Sequence, residues 1–297
     1  KLYKNKRGGF MNLSEKNTKS LLQIHVAVLL FGIAGLFGRY ISQPAVIITL
    51  GRVFFAALSI MALFRLRGTQ MSLKNGKDAA VLIVAGVILA FHWTSFFASI
   101  QASTVAIGVL TFSTYPLFVT FIEPLIFGYK LKISDIACAL AMFAGVCIIV
   151  PEFRMANSST EGIIWGMCSS FSYAVISLIN RKYALKYSGS LIALYEQGTS
   201  AVVLLPALFI LKPAVTATDI WPMLLLGVVF TAGAHSLFIS GMKHVRAQTA
   251  GMISSLESPY GIAAAALVFS EIPQLNEVIG GAVILAAALW STLKSRN

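Results

Sequence analysis

The sequence predicts an all-α integral membrane fold in which ten transmembrane helices form two inverted five-helix repeats. Three observations carry this reading. Apolar runs of about 18 residues or more recur ten times, lysine and arginine gather on every second connection, and the two halves of the chain can be laid over each other. The composition agrees, with 57% of the 297 residues hydrophobic and 11% charged, and a mean hydropathy of +0.81. Those values exclude an ordinary soluble domain.

The first twenty residues, "KLYKNKRGGFMNLSEKNTKS", form a basic arm that resembles the opening of a signal peptide. Many similar apolar runs follow and no cleavage-like site stands out, so an uncleaved first helix is expected. A start at Met11 is equally open, which would leave residues 1–10 outside the native chain. The expected spans are 22–40, 44–64, 79–100, 104–127 and 133–150, then 162–183, 189–211, 221–242, 247–270 and 278–293. This divides the chain into an arm (1–20), a first unit (21–151), an external linker (152–161), a second unit (162–294) and a short tail (295–297).

Orientation follows from charge. Of the 23 basic residues, 19 fall on one side: six in the arm, then Arg65, Arg67, Lys74, Lys77, Lys130, Lys132, Arg181, Lys182, Lys186, Lys243, Arg246, Lys294 and Arg296. Arg39, Arg154 and Lys212 fall on the other, and Arg52 lies inside a span. Basic connections stay in the cytoplasm, which puts both termini there and the protein in the inner (cytoplasmic) membrane. The net charge of +12 therefore reports topology, and no nucleic-acid partner is expected because no basic face on a soluble fold exists to carry one.

The repeat is visible from Thr114, where "TYPLFVTFIEPLIFGYKLKISDIACALAMFAGV" stays in step without a gap with "ESPYGIAAAALVFSEIPQLNEVIGGAVILAAAL" from Glu257. Pro116 then meets Pro259. Upstream, "HWTSFFASIQ" from His92 lies beside "GAHSLFISGM" from Gly233 after a two-residue offset. Five helices per unit make the second copy enter from the opposite side, a plan used by many secondary transporters.

Arg52 in "GRVFFAALSI", the mid-helix prolines of "STYPLF" and "ESPYG", and "VFSEIP" ahead of the last helix give the chain from Leu22 onward its family likeness. It resembles the drug/metabolite transporter superfamily, specifically the EamA-type ten-helix members with two EamA repeats. The resemblance implies a secondary transporter that moves a small organic metabolite, amino-acid-like or drug-like, by alternating access and often outward. It also implies that two repeat-related kinked helices face one central cavity. The family's small residue followed by Glu stands as Ser270–Glu271 in the second repeat and as Gly128–Tyr129 in the first, so Glu271 is assigned a loop-positioning role.

The candidate pathway centres on Glu257, because an ionised side chain at a bilayer centre costs about 2.5 to 3.5 kcal/mol on insertion scales and usually marks function. Pro259 has no N–H, so the carbonyl of Ser255 loses its donor and the helix should kink. With Ser254, Ser255 and Glu257 the freed carbonyl makes a polar patch tolerable only against protein or a wet cavity, and Tyr260 is assigned to the same pathway. Pro116 does the same for the carbonyl of Phe112, beside Thr114 and Tyr115. Counting about 1.5 Å per residue places Glu196, His235 and Glu257 in a tier roughly 10 Å or slightly more from the cytoplasmic edge, and Arg52 and His92 roughly 20 Å up. Glu196 and Glu257 outnumber Arg52, so at least one acid holds a proton or a cationic group, which admits proton coupling. Arg52 is expected to pair with one of these acids, and Glu123, a turn from its helix end, to support structure or a gate. His92 and Trp93, followed by Phe96 and Phe97, offer a stacking platform or ordinary packing.

Other classes are poorly supported. Cys138, Cys147 and Cys168 lie in apolar runs without ligand-like spacing and read as buried small side chains. The four histidines show no metal-site spacing, and a nucleophile beside a base is missing, so neither an enzyme, a metal nor a cofactor is expected. A channel-like facilitator is the alternative transport reading, and no phosphate-binding loop for direct ATP use is present. Trp221, Trp290, Tyr40 and Tyr187 read as interfacial aromatics. The glycines at 32, 35, 38, 162 and 166 read as close helix crossings. Monomer and homodimer both remain open.

Overall fold

The computed structural model describes residues 3–4, 10–11, 13–128, 133–149, 157–245 and 247–295. Expectations resting on Lys1, Lys6, Arg7, Tyr129, Lys130, Lys132, Arg154, Arg246, Arg296 and residues 152–156 of the external linker lie outside them. Apart from a two-residue antiparallel pairing, β1 (Tyr3–Lys4) with β2 (Phe10–Met11), the described residues are helical or in turns. The first unit comprises α1 (Leu13–Ala34), α2 (Leu36–Tyr40), α3 (Ala45–Leu66), α4 (Gly76–Ala102), α5 (Val105–Phe112), α6 (Tyr115–Phe127) and α7 (Ile133–Ile149). The second comprises α8 (Ser158–Ala184), α9 (Gly189–Leu204), α10 (Pro206–Leu211), α11 (Ala217–Gly227), a π-helical turn (Val228–Gly233), α12 (Ala234–Gly241), α13 (Ala247–Ser254), α14 (Glu257–Phe269) and α15 (Leu275–Ser295).

Among the described residues, seven helical stretches are long and apolar enough to cross a membrane, and Ile136–Ile149 and Leu275–Ala287 are shorter apolar helices. The remaining expected span, 247–270, is present as the broken pair α13 and α14. Breaks fall where the chain cannot continue a regular ladder. Pro116 and Pro259 sit in the first turns of α6 and α14, directly after breaks at 113–114 and 255–256, as the missing N–H groups require. Both second halves end on a left-handed residue, Gly128 and Ser270, with φ of 74° and 56°. The Gly–Ser correspondence read from the sequence is thus a shared helix stop.

Inversion shows in the packing partners. α5 lies against α14 and α6 against α13, so the two broken spans run antiparallel, first half to second half. α7 packs along α15, and α4 against α8 as α1 packs against α12. Glycines permit the closest of these approaches. A Cβ on Gly280 would lie 2.5 Å from the carbonyl oxygen of Gly145, and one on Gly32 would lie 2.9 Å from that of Glu257. Glu271 accepts from the backbone N–H of Val105 at 2.8 Å, so a loop of the second unit caps the first turn of α5.

On the basic side, the buried Asp78 accepts from the Tyr187 hydroxyl at 2.6 Å and from Lys186 Nζ at 3.4 Å, and that hydroxyl accepts from the N–H of Lys74 at 3.2 Å. The bond to Asp78 pushes the Tyr187 phenol above its ordinary pKa. Tyr187 is therefore a tie between the α3–α4 and α8–α9 connections and not a belt residue, whereas Tyr40 and Trp221 are exposed as belt residues should be. Tyr187→Phe should lower the thermal midpoint without changing helix content, and an unaltered midpoint would show that the tie carries no stability. The cysteines also need revision: Cys138 is buried, but Cys147 is exposed and Cys168 intermediate.

Candidate functional site

An intramembrane arginine needs partners, and Arg52 finds them on two elements. Its guanidinium lies 4.0 Å from the centroid of the Trp93 ring and 5.2 Å from that of Phe97, both on α4. Its Nε donates to Thr231 Oγ1 at 3.0 Å. Thr231 belongs to the π-helical turn, where its hydroxyl donates five residues back, to the carbonyl of Leu226, at 2.7 Å. The irregular turn therefore presents a lone pair to the arginine, a use typical of π-bulges.

Arg52 shares the wall of one cavity with Glu257, and so do Phe31, Ala34, His92, Trp93, Phe96, Phe112, Tyr173 and His235. The cavity is about 30 Å³, room for one or two waters and far too small for a metabolite. An arginine, a carboxyl group and a ring of aromatics thus surround a nearly closed space. Aromatic packing closes it: Phe112 stacks on Tyr115 at 5.5 Å, and Tyr173 meets His92 at 4.9 Å, Tyr115 at 5.0 Å and Phe112 at 5.2 Å. The ring nitrogen Nδ1 of His92 lies 2.9 Å from both the carbonyl oxygen and the hydroxyl of Ser169, so it donates to the first in one tautomer and accepts from the second in the other.

This arrangement corrects the two-tier reading. Arg52, His92, His235 and Glu257 meet around one cavity, since Trp93, stacked under Arg52, also lies edge-on to the His235 ring at 5.5 Å. Counting rise per residue locates Cα atoms on untilted helices; an arginine or tryptophan side chain spans more than a helical turn and closes the gap. Glu196 stands behind this wall, fully buried, with its Oε2 2.8 Å from His235 Nε2. Arg52 therefore shares the cavity with Glu257, while Glu196 is engaged by the histidine. Glu123 pairs with Arg181 across the ends of α6 and α8.

The pathway residues around the breaks divide into two groups. Thr114 is buried and contacts Ser170 Oγ at 3.0 Å, Tyr115 and Pro116 are buried, and Ser255 is buried with its hydroxyl on the carbonyl of Gly251 at 3.2 Å. Pro259 and Tyr260 are exposed on the outer surface, so the structure removes them from the cavity wall. The helix restarts at Glu257, which turns those two residues outward while Glu257 points in. The sequence reading missed the contact between the two breaks: the hydroxyls of Ser113 and Ser258 touch, and Ser258 also donates to the carbonyl of Val109 at 2.7 Å. It also missed Tyr173, Thr231 and Asn180, polar positions inside apolar runs that offered a signal.

Comparison with known proteins gives a consistent picture. The model of a family described as the EamA-like transporter family matches residues 18–150 and 160–293. A protein of Archaeoglobus fulgidus named an uncharacterized transporter is 28% identical over 90% of this chain and 93% of its own length. The S-adenosylmethionine uptake transporter of Rickettsia bellii is 22% identical over 80% of each chain. A solved crystal structure is similar in fold, with a TM-score of 0.71 at 18% identity over 93% of this chain and 97% of that one.

Proposed function

This chain belongs to the EamA-like transporter family, a multi-pass membrane protein by its helices, and we propose that it is a secondary transporter for small zwitterionic or cationic, amino-acid-like metabolites. The observation that carries the substrate class is the shared cavity wall of Arg52, Glu257 and aromatic rings. Arg52 offers a bidentate partner to a substrate carboxylate. Glu257 offers a counter-ion to a substrate cation, and Trp93 and Tyr173 offer faces for that cation or for a ring. In the closed state Arg52 is held by Thr231 and the face of Trp93, and Glu257 faces it only across the cavity. Substrate replaces those contacts only when the helices part, as alternating access demands.

S-adenosylmethionine has each of these features, a carboxylate, cationic centres and an aromatic ring, and it is named for the Rickettsia relatives. The test is counterflow of labelled S-adenosylmethionine in proteoliposomes. Transient accumulation against preloaded unlabelled compound supports a carrier. Equilibration without accumulation would indicate a channel, and neither would reject this substrate. Running the assay in both vesicle orientations separates the outward direction implied by the family likeness from the uptake named for those relatives.

The cytoplasmic membrane with both termini inside is part of the same proposal, on the asymmetry of basic residues. A cysteine placed near Ser158 or Asp219, for instance at the exposed Thr218, should react with an impermeant maleimide from outside intact cells. Labelling at Lys74 or Lys186 instead would reverse the topology.

A further inference from the structure

We propose that Glu196 and His235 form a proton-binding site behind the cavity wall, and that the pair releases a proton when a cationic group enters the cavity. The coupling half of this proposal rests on the transport reading above. Glu196 is 0% and His235 1% exposed, and no described lysine or arginine forms a salt bridge with Glu196, whose partner is the imidazole at 2.8 Å. Asn180 Nδ2, at 3.5 Å from the same Oε2, adds only a weak contact. Glu196 Oε1 and Asn180 Oδ1 are both buried acceptors without a donor. A buried acceptor left unsatisfied is costly, and a proton is the smallest ligand that turns one into a donor. A metal cation fits worse, since no group of three or more His, Cys, Asp or Glu that could hold one is present among the described residues.

The titratable and charged groups around the pair come from α3, α4, α8 and α14. They are Arg52 on α3, reaching His235 through Trp93, and His92 on α4, which interacts electrostatically with His235. Tyr173 on α8 interacts electrostatically with Glu196 and with Glu257 of α14. Position makes the pair suited to coupling. His235 lines the cavity, whereas Glu196 does not, so the histidine faces substrate on one side and the carboxylate on the other.

With one proton the pair is neutral, whether the proton sits on the carboxyl or on the imidazole along the 2.8 Å contact. A second proton, taken from water, makes the site positive: His235 Nε2–H donates to Oε2 and Oε1 carries the other hydrogen. A cationic substrate group beside His235 then repels this charge, and the second proton returns to water with no other bond made or broken. Cation and proton occupy the site by turns, which is the logic of an antiporter.

Trp93 provides the readout, because an imidazolium edge-on to an indole quenches its fluorescence. In a variant with Trp165, Trp221 and Trp290 changed to Phe, Trp93 emission should fall in one step on acidification. His235→Gln should abolish the step, Glu196→Gln should displace its midpoint, and His92→Gln, whose ring also lies near Trp93, should change it less than either. A step that survives His235→Gln, or ignores Glu196→Gln, overturns the site. If His235→Gln fails to fold, the contrast between Glu196→Gln and His92→Gln decides. For coupling, an imposed pH gradient should drive labelled S-adenosylmethionine uphill in wild-type vesicles, while Glu196→Gln should only equilibrate it. Wild-type counterflow that ignores the gradient overturns the coupling and leaves the carrier reading standing. Absence of wild-type counterflow overturns the substrate and the coupling, with the proton site still judged by fluorescence.

Discussion

Glu257→Gln should reduce counterflow at least tenfold, about 1.4 kcal/mol of lost interaction, while expression and thermal midpoint stay near wild type. The amide keeps the size and most hydrogen bonds of the acid but removes the counter-charge in the cavity that Arg52 shares. A neutral amide is no costlier there than the carboxyl, so stability should hold. If the carboxylate were structural only, midpoint and expression would fall together and residual transport would keep its character. Arg52→Gln should also lower activity, and combining it with Glu257→Gln should recover part of that loss. Strictly additive losses would remove the charge-pair claim. The same cycle with Glu196→Gln should be additive, because Glu196 is held by His235.

The second large effect concerns α7 and α15. Gly280→Leu would drive a Cβ to 2.5 Å from the Gly145 carbonyl oxygen and 2.6 Å from Ile149 Cγ1, while Gly145 is enclosed in turn by the Gly280 carbonyl and Ile284. Backbone cannot yield as a flexible side chain can. The variant should lose about 3 kcal/mol, the upper range for overpacking, seen as a lower thermal midpoint and a broadened size-exclusion peak. Gly198→Leu is the control, because a Cβ there meets nothing within 4 Å. Equal behaviour of the two variants would mean that the α7–α15 contact does not hold the fold.

What was legible in the sequence was whatever depends on length, periodicity and local covalent chemistry. Ten apolar runs gave the helices, and Pro116 and Pro259 gave the breaks, because a missing N–H acts on its own chain. What escaped depends on rotation and reach. Pro259 and Tyr260 neighbour Glu257 in sequence, yet the restart of α14 turns them to the surface. The depth count separated Arg52 from the acids because it could not know that the Trp93 ring bridges Arg52 and His235. The Thr231 contact required a π-helical turn that no residue pattern announced. Asn180 was available to notice, as a carboxamide closing the apolar run "FSYAVISLIN".

Ser113 and Ser258 join the two broken spans at their interruptions, where α5, α6, α13 and α14 all begin or end. Mechanically this is a fulcrum shared by two levers laid head to tail. If the outer arm of one lever swings away from its neighbour, the inner arms are pressed together, since the bonded hydroxyls hold the crossing point fixed. A molecule hinged in this way has little freedom to gape on both faces at once. Leakage would then be suppressed by leverage at a single pair of small side chains, with no separate gate needed at each mouth.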